Sequence, residues 1–224
     1  MVWKFPPSGT SYLISRLSRY KILSIIRMTI YDLKPKFQAL LRPIVQNLAA
    51  KGITPNQVTL FAMLLSIVVG GVIAWTKGAT WILLFVPFFM FLRMALNAID
   101  GMLAKEHDMK TKKGAMFNEM SDVIADVALF LPFAFIVGVN PIWVVLFAIV
   151  GVFNEMAGVV AQTLSGTRRY DGPMGKSDRV FVVGVISLLL GLGLSAGLWV
   201  DIIFMIATLL AILSTYNRAI RGAE

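Results

Sequence analysis

The chain has 224 residues, 58% of them hydrophobic and 15% charged, with a mean hydropathy of +0.78. That balance excludes an ordinary soluble domain and indicates an integral membrane protein. The lack of cysteine excludes a disulfide framework, a thiol nucleophile and a Cys-ligated metal site, and the net charge of +9 sits in short loops beside apolar runs, which fits anionic lipid and substrate rather than nucleic acid.

Residues 1–31 form an N-terminal extension with Pro6-Pro7, scattered serines and apolar runs too short to span a bilayer. No long apolar region precedes a small-residue cleavage site, so the segment is not read as a signal peptide. Met28 opens a second start-like stretch, which makes the leader an optional extension without an assigned function. Over residues 32–52, Phe37, Leu40, Leu41, Ile44, Val45 and Leu48 recur at steps of three and four between basic residues. This spacing predicts an amphipathic helix lying on the membrane surface, kinked at Pro43. Thr54 followed by Pro55 predicts the capped start of the next helix.

Residues 53–224 are expected to form an all-α membrane domain of six transmembrane helices, about 56–76, 80–104, 114–137, 141–165, 178–198 and 200–220. Of the 21 lysines and arginines, all but Lys77 and Arg93 fall on one side of such a bundle. By the positive-inside rule that side, with both termini, is cytoplasmic. Trp75, Trp81, Trp143 and Trp199 fall at the opposite ends, as an aromatic belt should. Gly191, Gly193 and Gly197 are read as sites of close helix packing.

The chemistry concentrates in residues 97–126. Asn97 and Asp100 share a helical face on the incoming side of a short basic loop. On the outgoing side Asn118, Asp122 and Asp126 are spaced four apart, with Glu119, Asp122 and Asp126 also on one face. Acids inside membrane segments are costly, so their default reading is functional. Oxygen ligands of this kind suit a hard divalent cation, Mg²⁺ or Mn²⁺, and zinc is disfavoured because the lone His107 reads as a solvated loop residue. Gly101 and Ala104 leave room for a flat ligand beside the helix, and Gly114 opens a helix whose first amides can accept a phosphate. Lys105, Lys110, Lys112 and Lys113 flank the acids, although the last three are read first as topology signals. Arg168, Arg169, Lys176 and Arg179, in the next loop on that side, are expected to hold an anionic acceptor or phosphate. Asn154-Glu155 is a further intramembrane polar pair, suited to a site or to an interhelical hydrogen bond. Arg93 is open between pairing with Glu155 and contacting a phosphate.

The run Asn97-x2-Asp100-Gly101-x2-Ala104-Lys105, eight residues, Gly114-x3-Asn118-x3-Asp122 resembles the CDP-alcohol phosphatidyltransferase family. Its pattern has aspartate at the positions of Asn97 and Asn118, and arginine at that of Lys105. The resemblance implies a membrane enzyme, commonly a homodimer, that binds two divalent metals through four aspartates and clamps the pyrophosphate of a CDP-linked lipid. An acceptor hydroxyl attacks, CMP leaves, and the aspartate matching Asp122 is the general base. Metal ligands are then expected at Asn97, Asp100, Asn118 and Asp122, with Glu119 and Asp126 restoring lost negative charge. Nucleotide contacts fall to Gly101, Ala104, Lys105 and Gly114. The expected reaction moves a phosphatidyl group from CDP-diacylglycerol to a polar alcohol or sugar phosphate at a bacterial cytoplasmic membrane. Transfer of a CDP-activated head group to diacylglycerol is the alternative enzyme. A catalytically impaired relative that binds nucleotide-lipid is the non-enzymatic alternative, because two aspartates are replaced. A transporter would instead place polar residues near mid-membrane, within inverted repeats.

Overall fold

The computed structural model describes residues 33–223; the N-terminal extension expected over 1–31 lies outside them. Seven α-helices make up the described chain: α1 Leu33–Ala50, α2 Pro55–Thr76, α3 Thr80–Glu106, α4 Lys112–Phe130, α5 Pro141–Ser165, α6 Lys176–Gly191 and α7 Leu198–Ala223. A short 3-10 helix, Leu131–Phe135, extends α4.

The helix starts follow from local chemistry. Thr54 caps α2 in a reciprocal box with Gln57, whose Oε1 accepts from the Thr54 amide at 2.8 Å, and Pro55 occupies the first helical position. The Thr111 hydroxyl accepts from the Gly114 amide at 2.9 Å and caps α4. Asn140 caps α5, which ends at Gly166 in the left-handed conformation. Helix α1 runs unbroken through Pro43 and buries Leu41 and Val45 against Val58 of α2 and Ile99, Met102 and Leu103 of α3.

Helices α2, α3, α5 and α7 are long and apolar enough to cross a membrane. Helices α4 and α6 fall outside that group. The first carries Asn118, Glu119, Asp122 and Asp126; the second has only 16 residues, about 24 Å of helix. The fifth expected span, 178–198, ends early at Gly191, and Gly193 follows at φ +95° in a turn. Of the three glycines read as packing sites, Gly191 alone is one: a Cβ there would lie 2.8 Å from the Leu84 amide nitrogen of α3, whereas Gly193 and Gly197 have open space.

The main core joins α2, α3, the α4 extension and α5–α7 through Ile73, Val86, Phe89, Phe133, Val183 and Phe204. Phe147 of α5 is its centre, with ring centroids 5.5 Å from Phe130 and 5.3 Å from Phe204. Other large apolar residues face outward, among them Phe88, Ile142 and Leu209. Apolar residues both inside and outside are what a bundle surrounded by lipid requires. Because consecutive helices alternate in direction, the starts of α2, α4 and α6 meet the ends of α3, α5 and α7, and the polar candidates run from that end to Arg93 and Asp126 deeper in their helices.

Candidate active site

The oxygen-bearing side chains of α3 and α4 gather in two groups. In the first, the Thr59 hydroxyl of α2 donates to Asp100 Oδ2 at 2.8 Å, and Asn118 Oδ1 lies 3.5 Å from the same hydroxyl. Asp100 is buried, and these oxygens border a cavity of about 490 Å³. Gly101, Ala104, Lys105 and Gly114, the four expected nucleotide contacts, line that cavity together with Lys110 and Lys112. A Cβ at Gly101 would meet nothing within 4 Å, so the α3 backbone is open there. Gly114 is fixed differently from expectation. Its amide is taken by Thr111, and a Cβ would sit 2.8 Å from Thr111 Oγ1 and 2.9 Å from Asn56 Oδ1.

The second group surrounds Asp122, whose Oδ1 accepts from Asn97 Nδ2 at 3.1 Å and lies 3.6 Å from an Arg93 Nη2. Its Oδ2 pairs with the ammonium of Lys176, the first residue of α6. A cavity of about 590 Å³ opens here, lined by Asn118, Asp122, Glu155, Arg168, Lys176 and Arg218 among others. Asn118 therefore lies on the wall of both cavities.

Glu119 and Asp126 do not join Asp100 and Asp122 in one cage. Arg93 Nη1 donates to Asp126 Oδ1 at 2.6 Å, and Arg179 Nη2 to Asp126 Oδ2 at 3.3 Å. Glu119 pairs with Arg168, whose other Nη donates to Glu155 Oε2 at 2.8 Å. Glu155 Oε1 accepts from Arg179 at 2.9 Å and lies 3.6 Å from Arg218. Among the described residues no three His, Asp or Glu side chains come together as a metal cage. The physical reason is the supply of guanidinium groups, which satisfy both flanking acids before a cation could. The fit to a metal is therefore uneven: Asp100 and Asn118 offer hard oxygen atoms, while Asp122 faces nitrogen donors.

The same network distributes the basic residues expected to hold an anion. Arg179 is 1% exposed and lies between Asp126 and Glu155, so it does not line the larger cavity; neither does Arg169. Arg168 and Lys176 do, as does Arg218, which spacing did not single out because it counts there only as a topology charge near the chain end. Arg93 pairs with Asp126 rather than with Glu155. Asn154 donates from Nδ2 to the Met174 carbonyl at 3.1 Å, tying α5 to the loop before α6. Arg221, in the last turn of α7, donates to Asp171 Oδ1 of that loop at 2.7 Å, which holds the Asp171 carboxyl below the usual carboxylate range.

Comparison with known proteins shows the family and the fold. The chain is 40% identical over 191 residues to the inner membrane protein YnbA of Escherichia coli strain K12, covering 85% of this chain and 94% of that one. An uncharacterized protein of Aquifex aeolicus strain VF5 is 32% identical over 102 residues, 45% of this chain and 47% of its own. The fold is similar to that of Mycobacterium tuberculosis phosphatidylinositol phosphate synthase, solved with CDP-DAG bound (TM-score 0.69, 16% identity, 80% of this chain and 92% of that one). A second structure of that synthase, with manganese and citrate, gives TM-score 0.68 at 16% identity over 81% of this chain and 87% of its own. Residues 52–216 match the CDP-alcohol phosphatidyltransferase family, and the chain belongs to it.

Proposed function

We propose that the protein transfers a phosphatidyl group from CDP-diacylglycerol to the hydroxyl of a polar, anionic acceptor, releasing CMP in phospholipid synthesis. One observation carries the reading: two cavities meet at Asn118, one beside Asp100 with the motif glycines, the other beside Asp122 with three basic side chains. The first suits the cytidine nucleotide and the second an acceptor bearing a phosphate. A lipid-facing groove of about 600 Å³ between α3 and α6, lined by Met90, Phe91, Met94 and Phe181, runs up to Asn97 and Lys176 and suits the acyl chains.

In this reading the acceptor oxygen attacks the phosphorus that bears diacylglycerol. The phosphorus–oxygen bond to CMP breaks, and the acceptor proton passes to Asp122, which is poised beside the larger cavity. Arg168, Lys176 and Arg218 orient the acceptor's anionic group. A hard divalent cation, Mg²⁺ or Mn²⁺, would be held by Asp100 and Asn118 and would supply charge neutralisation at the pyrophosphate. Helices α4, with its 3-10 extension, and α6 cross the membrane with the other four, α1 lies on its surface, and the site opens to the cytoplasm where CMP is released.

Radiolabelled CMP release from CDP-diacylglycerol, screened over glycerol phosphate, inositol phosphate and uncharged alcohols, tests the reading. Release dependent on a phosphorylated acceptor and on Mg²⁺ or Mn²⁺ is expected. The catalytically impaired reading has its own support in Asn97, Asn118 and the Lys176–Asp122 pair. Nucleotide-lipid binding without CMP release over the full screen would establish it instead.

A further inference from the structure

We infer that the Lys176 ammonium takes the place of a divalent cation at Asp122, so that the site holds one metal ion, on the Asp100 side. The inference deepens the phosphotransfer reading and rests on it.

The two carboxylates have opposite surroundings. Asp100 accepts from the Thr59 hydroxyl, which itself lies 3.5 Å from the Asn118 carbonyl oxygen, so its recorded neighbours are oxygen atoms with which a hard cation can exchange places. Among the described residues the Asp122 carboxylate faces nitrogen: Asn97 Nδ2 at 3.1 Å, Arg93 Nη2 at 3.6 Å and the Lys176 ammonium. Asn97 has turned its donor, not its acceptor, toward Asp122. An aspartate at 97 could not make that hydrogen bond and would repel the carboxylate it now steadies.

Charge balance points the same way. Lys176 already offsets Asp122, and a second divalent ion would sit among Arg93, Lys176 and Arg168 with no further carboxylate free to offset it. Lys176 is also placed against the local preference of its helix. It is the first residue of α6, where the helix dipole disfavours a cation, and Asp122 is its ion-pair partner among the described residues. A lysine there is explained by what it meets across the cleft. It supplies a fixed positive charge beside the reacting group, on a flexible stem that admits the acceptor.

Manganese counting tests this without turnover. The detergent-solubilised full chain, titrated with Mn²⁺ in the presence of CDP and followed by the electron paramagnetic resonance of free Mn²⁺, should bind one ion per chain. Two ions, or none, overturns the inference. Next, Asn97→Asp with Asn118→Asp is titrated with Lys176 intact and with Lys176→Met, which keeps the stem and removes the charge. The second Mn²⁺ should bind at least about tenfold more tightly to the methionine form, because a like charge has been withdrawn from its place; Lys176→Arg should behave as the intact lysine. Equal second-site affinity in the lysine and methionine forms overturns the inference. Since the count needs no reaction, a chain that binds one Mn²⁺ yet releases no CMP refutes the catalytic reading and leaves the count standing.

Discussion

Asp126 shows how far residue spacing carries an argument about chemistry. Its position four residues after Asp122 puts it on the motif stripe, yet the arginines that hold it, Arg93 and Arg179, are 33 and 53 residues away in sequence. Helical periodicity could bring Asp100, Gly101, Ala104, Lys105, Gly114 and Asn118 to one cavity, because a short loop fixes α3 and α4 side by side. It carries no information about which guanidinium groups arrive from α6 and the preceding loop. Different residues therefore have different expected failures. Asp100→Asn and Asp122→Asn should each cut CMP release by at least about a hundredfold, the scale of a lost base or ligand, in protein that still purifies as a folded species. More than about a tenth of parental activity in both would remove them from the mechanism. Asp126→Asn should instead leave Mn²⁺ affinity within about twofold of the parent and lower thermal stability, since Arg93 loses its shorter carboxylate contact and Arg179 one of its two, and breaking a buried pair costs up to about 3–5 kcal/mol. A large loss of Mn²⁺ affinity with unchanged melting would return Asp126 to the metal site.

At the scale of elements, helix existence was legible and helix character was not. The Thr54–Pro55 signal and the apolar runs placed every helix start from α2 to α7 to within two residues. Hydropathy alone, however, cannot distinguish a helix that ends from one that continues: Leu192 to Gly197 carries no charge to interrupt a span but turns at Gly193. Close approach between helices was equally hidden, because a glycine in a membrane helix reads the same whether it faces lipid or backbone. Gly70 and Gly71 make the contrast testable. A Cβ on Gly70 of α2 would collide with the Ala128 carbonyl oxygen of α4, while one on Gly71 meets nothing within 4 Å. Gly70→Ala should destabilise the bundle by about 1–3 kcal/mol, as overpacking does, and Gly71→Ala should be neutral in the same thermal assay. Equal melting of the two would contradict the α2–α4 contact. Gly101→Ala adds a functional counterpart: with open space at its Cβ it should melt like the parent but raise the KM for the nucleotide donor, because the methyl group enters the cavity.

For the whole molecule, the decisive question is how many helices cross. Among the described residues four qualify by length and apolarity; α4 does not, because the site's own acids and amides are built into it, and α6 does not, because it has only 16 residues. The contacts argue for six. Arg168, after α5, pairs with Glu119 near the start of α4, and Lys176 at the start of α6 pairs with Asp122, so these ends share one side. If α4 stayed on the cytoplasmic side without crossing, α5 would carry Arg168 to the opposite face from Glu119. Single cysteines can decide, and the native chain has none to interfere. Gly78 and Gly172 are poor positions: both have positive φ, and a Cβ would meet Ile136 at 2.7 Å or Ser214 at 2.6 Å. Lys112, Val137, Thr167 and Leu194 are exposed and border α4 and α6 instead. With six crossings and a cytoplasmic site, an impermeant thiol reagent added outside should label Val137→Cys and Leu194→Cys, and leave Lys112→Cys and Thr167→Cys for labelling from within. With four crossings the pattern changes at two positions only: Val137→Cys becomes cytoplasmic and Thr167→Cys external. That result would separate Glu119 from Arg168 and take apart the site described here. Full reversal at all four positions would keep the six-helix bundle but open both cavities away from cytosolic CMP.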